Sequence, residues 1–173
     1  MAEELVEELE EGLEEDSQKG KFMTFQTGKE FFGISINYVN EIIVMQPIAP
    51  IPEVEDYIEG LINLRGKIIP VIDIRKRFKM NAVDYTDRTC IIVLDIKSTT
   101  IGLIVDKIAE VDTIPDEDIM PPPTISHKDS EKSKYVYGLA RMGSQMKMLL
   151  DPEKLILQET VNVQEEAKEE ESA

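Results

Sequence analysis

Apolar residues recur along this chain in short runs separated by turn-forming residues, a pattern of β-strands rather than long helices. Phe22 to Gln26 and Phe31 to Ile36 predict a hairpin around Thr27-Gly28-Lys29, and Tyr38 to Val44 continues apolar. Gln46 to Pro52 carries three prolines and reads as an extended connection. Tyr57 to Phe78 holds two further strands. Leu61, Ile62 and Leu64 belong to the first, and Ile68, Ile69, Val71 and Ile72 to the second. Asn63 to Gly66 supplies the turn between them, with Gly66 free to take a positive φ. Pro70 has no N–H for a ladder, which predicts an edge strand or a bulge at that point. Asp73 ends the strand and caps a basic helical turn, Ile74 to Phe78.

The second half repeats the theme. Asn81 to Asp87 is a polar connector. Arg88 to Ile96 and Ile101 to Val105 form a strand–turn–strand unit, which Val111 to Pro115 extends. Pro115 to Lys134 is polar and proline-bearing, so it reads as a long surface loop. Tyr135 to Leu139 and Met146 to Leu150 are short strands. Asp151-Pro152 then opens a helix reaching about Glu159.

The halves also align residue by residue. At a shift of 69, Gly33 falls on Gly102, Ile34 on Leu103, Val39 on Ile108 and Glu41 on Glu110. At a shift of 78, Gly60 falls on Gly138, Leu61 on Leu139, Val71 on Leu149 and Asp73 on Asp151. This is the signature of a duplicated unit. Each copy has about five strands and a final helical turn, which predicts an all-β molecule of two packed small barrels. The expected division is an acidic tail over 1–20, a first barrel over 21–82, a second over 83–159 and an acidic tail over 160–173. Whether terminal strands cross between the barrels stays open. A unit this small is marginal alone, so the two should share an apolar face with a groove beside it.

Charge changes the picture little, because it sits in the tails. Met1 to Gln18 holds nine acids and no base, and Gln164 to Ala173 five acids and one lysine. Of the net −16, only −3 belongs to the span between. In the first tail Leu5, Leu9 and Leu13 are spaced for one helix face, but acid repulsion favours disorder. There is no apolar leader and no run long enough to span a membrane, which predicts a cytoplasmic protein. Cys90, the single cysteine, reads as a buried small hydrophobe, and no internal disulfide is possible.

Catalytic chemistry is sparse. His127 is the only histidine and lies in a charged loop. There is no Cys/His cluster for zinc, no P-loop and no G-x-G-x-x-G, so neither an enzyme nor a cofactor is expected. Arg65 to Lys79 holds six cations and one acid. That run alone supports an alternative, a small-barrel single-stranded nucleic-acid-binding protein. Such proteins stack bases on aromatics, and Phe78 is the only aromatic in the run.

The copies differ at Arg65, which aligns with Gly143. A scaffold requirement acts on both copies, so the asymmetry marks the first copy's turn as the place of a specific contact.

The run EGLINLRGKIIPVIDIRKRF, with Gly33-Ile-Ser-Ile and Val39-Asn-Glu41-Ile upstream, resembles the chemotaxis coupling protein family, CheW. The resemblance covers about Phe22 to Leu157. It implies two SH3-like barrels, no catalysis and no cofactor. Its implied role is an adaptor joining the cytoplasmic tip of methyl-accepting chemoreceptors to a CheA-type histidine kinase. By matching positions, Val39, Glu41, Gly60, Asn63 and Arg65 are the implied receptor contacts. The kinase's regulatory domain is expected at an apolar barrel end that the sequence does not locate. The acidic, aromatic-poor composition argues against nucleic acid, and without a long apolar run no membrane insertion is expected, the membrane-associated array being reached through partners.

Overall fold

The computed structural model describes residues 19–122 and 134–156. The first half runs β1 (Lys21–Thr27), β2 (Glu30–Ser35), β3 (Val39–Val44), β4 (Ile58–Leu64), β5 (Lys67–Asp73) and α1 (Ile74–Arg77). The second runs β6 (Cys90–Ile96), β7 (Thr99–Val105), β8 (Lys107–Thr113), β9 (Ile119–Met120), β10 (Val136–Met142), β11 (Gln145–Leu150) and α2 (Pro152–Ile156). The acidic tails, His127 and the end of the last predicted helix lie outside the described residues.

The strands form two sheets, each curled into a small barrel. One is five-stranded, in the order β3-β6-β7-β5-β4, and the other six-stranded, β8-β1-β2-β11-β10-β9. The spans 21–82 and 83–159 each supply strands to both sheets, so the chain crosses between barrels twice. Within each sheet, strands of the two halves are joined by a parallel pair. Val71 sits opposite Gly102 in one sheet, and Leu149 opposite Gly33 in the other. These pairs are related by the same shifts as the sequence repeat. The bulge between Ile58 and Gly60 likewise recurs between Val136 and Gly138. The backbone N–H of Asp73 donates to Tyr57 at 2.9 Å, and that of Asp151 donates to Tyr135 at 2.8 Å. Each aspartate then caps its helix, Asp73 Oδ1 accepting from the Arg75 N–H and Asp151 Oδ1 from that of Glu153.

The largest core lies between the barrels, not inside either. Phe25, Phe32 and Ile34 from one sheet meet Ile92, Leu94 and Leu103 from the other, all fully buried. Phe78 and Tyr135 extend an aromatic row whose successive centroids, from Phe25 through Phe32, are 5.6, 5.3 and 5.7 Å apart. The Arg77 guanidinium lies 4.1 Å from the Tyr57 ring and 4.8 Å from that of Tyr135, two residues the duplication relates. Inside the barrels the clusters are smaller, built on Ile62, Ile69, Val71 and Ile91 in one and on Phe22, Ile114, Ala140 and Leu149 in the other. A barrel this small buries too little to stand alone, and the shared face supplies the remainder.

Several expectations change. Pro70 is not on an edge: β5 lies between β4 and β7. The parallel ladder to β7 begins only at Val71, and the nearby bulge is in the partner strand β4. The long loop is not wholly irregular, since a 3-10 turn at Asp116–Asp118 leads into β9. β8 begins at Lys107, earlier than the apolar pattern suggests, because Ala109 and Val111 are exposed while Glu110 and Asp112 lie on the face toward Lys147. Cys90 is only half-buried.

Candidate functional site

The site begins with a two-residue turn. β4 ends at Leu64 and β5 starts at Lys67, leaving Arg65 and Gly66 with φ of 51° and 83°. Two positive φ values match a type I′ hairpin turn, whose twist suits the flanking strands. Glycine takes this conformation freely, whereas a side chain at the first position is strained by about 1–2 kcal/mol. The repeat-related turn resolves the conflict with Gly143. Arg65 is thus held where the fold by itself favours glycine. Asn63 secures the turn by accepting the Gly66 N–H on Oδ1 at 2.9 Å.

The Arg65 guanidinium reaches across the open seam of the five-stranded barrel, from β4 to β3, and pairs with Glu41. Its side chain stays 71% exposed while that of Glu41 is 27% exposed. An exposed pair of this kind adds little stability. Its effect is to orient the fork of N–H donors along the rim. Beside it, the Asn40 amide donates to Asp95 at 2.6 Å and the Thr100 hydroxyl donates to the same carboxylate at 2.7 Å. The Lys67 ammonium donates to Thr100 at 2.8 Å. The bonds from Asn40 and Thr100 hold the Asp95 carboxyl below the usual carboxylate range, so the network stays charged at neutral pH.

Glu41, Asn63 and Arg65 therefore meet on one rim. Val39 starts the same strand as Glu41 and is half-buried against the inter-barrel core. Gly60 is different, being buried beneath the backbone of the proline-bearing segment. A Cβ there would stand 2.1 Å from the Ala49 carbonyl oxygen. Leu61 and Ala49 exchange two backbone bonds of 2.8 Å each across this crossing. Gly60 thus positions the segment above it and presents no side chain to solvent.

The basic run does not form an open cationic stripe. Arg75 makes a two-toothed pair with Asp106, at 2.8 and 2.5 Å, and Lys76 pairs with Glu59. Arg77 is stacked on the tyrosines, Lys67 donates to Thr100, and Arg65 is paired with Glu41. The Arg75 pair, with the Gly28 N–H, holds Asp106 below its ordinary pKa although burial works the other way.

A cluster that sequence reading missed lies in the six-stranded barrel. Lys147, its side chain 1% exposed, pairs with Asp112 and, at 3.0 Å, with Glu110. Burial opposes its charge, but the two carboxylates prevail and its pKa stands above the ordinary lysine value. The signal available was the repeat, which sets Lys147 against Ile69 and Asp112 against Ile43.

Among the described residues no helix is long and apolar enough to cross a membrane. Comparison with known proteins agrees with this architecture. A family model described as the CheW-like domain matches residues 21–160. The chemotaxis protein CheW of Treponema pallidum is 33% identical over 144 residues, covering 81% of this chain and 84% of the relative. That of Klebsiella aerogenes is 35% identical over 139 residues, covering 80% and 82%. The crystal structure of the scaffolding protein TtCheW from Thermoanaerobacter tengcongensis superposes with a TM-score of 0.70 at 37% identity, covering 76% of this chain and 88% of that one. None of these relatives supports the nucleic-acid alternative. With two interlocked small barrels, the shared motif and these matches, the chain belongs to the CheW family of chemotaxis scaffold proteins.

Proposed function

We propose that this protein is a non-catalytic adaptor coupling methyl-accepting chemoreceptors to a CheA-type histidine kinase. The receptor's helical cytoplasmic tip docks at the groove edge formed by Val39, Glu41, Asn63 and Arg65, with Gly60 fixing the backbone beneath. The kinase's regulatory domain takes an apolar barrel end. The protein works in the cytoplasm and reaches the membrane-associated array through its partners.

One observation carries this reading. Arg65 occupies a left-handed turn position that its repeat partner gives to glycine, and it remains exposed and aimed by Glu41. A strained, exposed, oriented arginine is what a binding contact requires and what a scaffold alone does not. Coupling then follows from binding energy. A receptor whose two signalling states touch this rim differently shifts the geometry, and so the equilibrium, of the attached kinase.

The test is a titration with a chemoreceptor cytoplasmic hairpin, followed by NMR shift perturbation. Arg65→Ala should weaken binding by ~2 kcal/mol, roughly 30-fold, with the fold intact. Arg65→Gly, the residue the other turn already carries, should behave alike. Unchanged affinity in folded variants rules out the assigned rim. Salt-sensitive binding of single-stranded oligonucleotides in place of the receptor favours the alternative class.

A further inference from the structure

The duplication places a second rim on the six-stranded barrel, and its residues differ. In the five-stranded barrel, Asn40, Asp95, Thr100 and Lys67 are tied into one hydrogen-bonded row. The matching positions hold Ala109, Gln26, Phe31 and Gln145. Alanine and phenylalanine have no polar group to continue such a row. The space is instead a cleft of about 630 Å³, with Phe31 and Ile108 among its walls and Arg88 and Lys107 beside them. A smaller cleft of about 240 Å³ adjoins it and shares Gln26, Arg88 and Lys107. Among the described residues, neither the Arg88 nor the Lys107 side chain has an ion pair or hydrogen bond. Glu110, at the same cleft, is already engaged by Lys147.

We propose that this cleft is the docking site of the chain's own N-terminal segment, residues 1–18. The segment carries nine acids and no base, with Leu5, Leu9 and Leu13 four residues apart. In a helix those leucines share one face and the glutamates flank it. Leucines against Phe31 and Ile108, with glutamates on Arg88 and Lys107, match the cleft in both polarity and charge. The reach is sufficient. The segment leaves the fold at Gly20, whose carbonyl accepts the Ile114 N–H at 2.7 Å. From there to Gln26, which faces Lys107 across the β1–β8 pair, is about 20 Å of strand. Eighteen helical residues span about 27 Å, and an extended segment more. The C-terminal acidic run lacks this leucine spacing. Occupied in this way, a module with two related rims offers only one of them to partners. The inference stands on the cleft and the segment and is independent of which partner uses the first rim.

The test is paramagnetic broadening in the full-length chain. A nitroxide is attached at Ala2→Cys, with Cys90→Ser removing the native thiol. Amide signals of Gln26, Phe31, Lys107 and Gln145 should broaden at low salt and recover at about 0.5 M NaCl, where exposed charges are screened. Arg88→Glu with Lys107→Glu should remove the broadening while the rest of the spectrum keeps its dispersion. Mixing isotope-labelled protein without nitroxide with unlabelled, nitroxide-bearing protein should give none. Broadening confined to residues beside Lys19, broadening that survives the double charge reversal, or broadening transferred between molecules would each overturn the proposal.

Discussion

The two barrels share one connectivity but fill it with different chemistry. Where the five-stranded barrel buries Ile69, with Ile43 packed against its core, the six-stranded barrel has Lys147 and Asp112. Val93, also buried in the first, is replaced by Thr24, whose hydroxyl donates to the Glu110 carbonyl at 2.8 Å. Outside, the relation reverses. Glu41 takes its cation from the surface, at Arg65, whereas its counterpart Glu110 takes one from within, at Lys147. An acid retained in both copies is thus neutralised from opposite sides. The first barrel keeps an apolar core and holds its arginine at the rim. The second places a charge inside, and its turn carries Gly143. A backbone pattern fixes where side chains go and leaves their polarity open, provided each buried charge finds a partner.

The sharpest way to break this comparison is Lys147→Met. Removing the ammonium strands Asp112 in the barrel wall, and the loss should be about 3–5 kcal/mol in urea unfolding. Little change would mean the cluster is not the buried ion pair described. The double variant Asp112→Ile with Lys147→Ile imports the other barrel's residues. It should recover wild-type stability or exceed it by about 1–4 kcal/mol, since an apolar isostere avoids desolvating two charges. A double variant as unstable as the single one would show that the two interiors are not interchangeable.

The smallest effect expected is in pH dependence. Because the folded pKa of Lys147 is raised, its contribution is complete below the unfolded lysine value of about 10.4 and is lost as pH rises through the folded value. Above about pH 10.4, urea midpoints should therefore fall more for the wild type than for the double isoleucine variant. Tyr38, Tyr85 and Tyr137, all raised by burial with nearby acids adding to it, affect both proteins alike and cancel in the difference.

Much of this was legible in the sequence, and for identifiable reasons. Apolar runs bounded by turn residues marked most strands, because short strands with one face on a core alternate or run apolar. Asp73 and Asp151 announced their helices, since a cap is a local device. Arg65 was legible from the asymmetry of the copies, but its grouping with Glu41 and Asn63 only through the family motif, because the Arg65–Glu41 contact joins the two edge strands β3 and β4 across the open seam, 24 positions apart and outside any ladder. What escaped depends on tertiary placement. Pro70 looked like an edge residue because periodicity cannot show where a ladder begins. Lys147 sat unremarked in an apolar strand, although the repeat set it opposite Ile69. β8 was read short because its polarity is inverted, with Val111 exposed while Glu110 and Asp112 turn to Lys147.

The crossing of strands between barrels also sets an order of assembly on the ribosome. The five-stranded barrel has all its strands once Val105 has emerged. The hairpin made first, β1 and β2, belongs to the barrel finished last, and Thr24 waits for a lysine 123 positions downstream. Until β11 arrives, the β2 edge of that hairpin is unpaired. Among the described strands, β2 thus keeps its edge open to mispairing longest, and long-range closure of this kind slows folding.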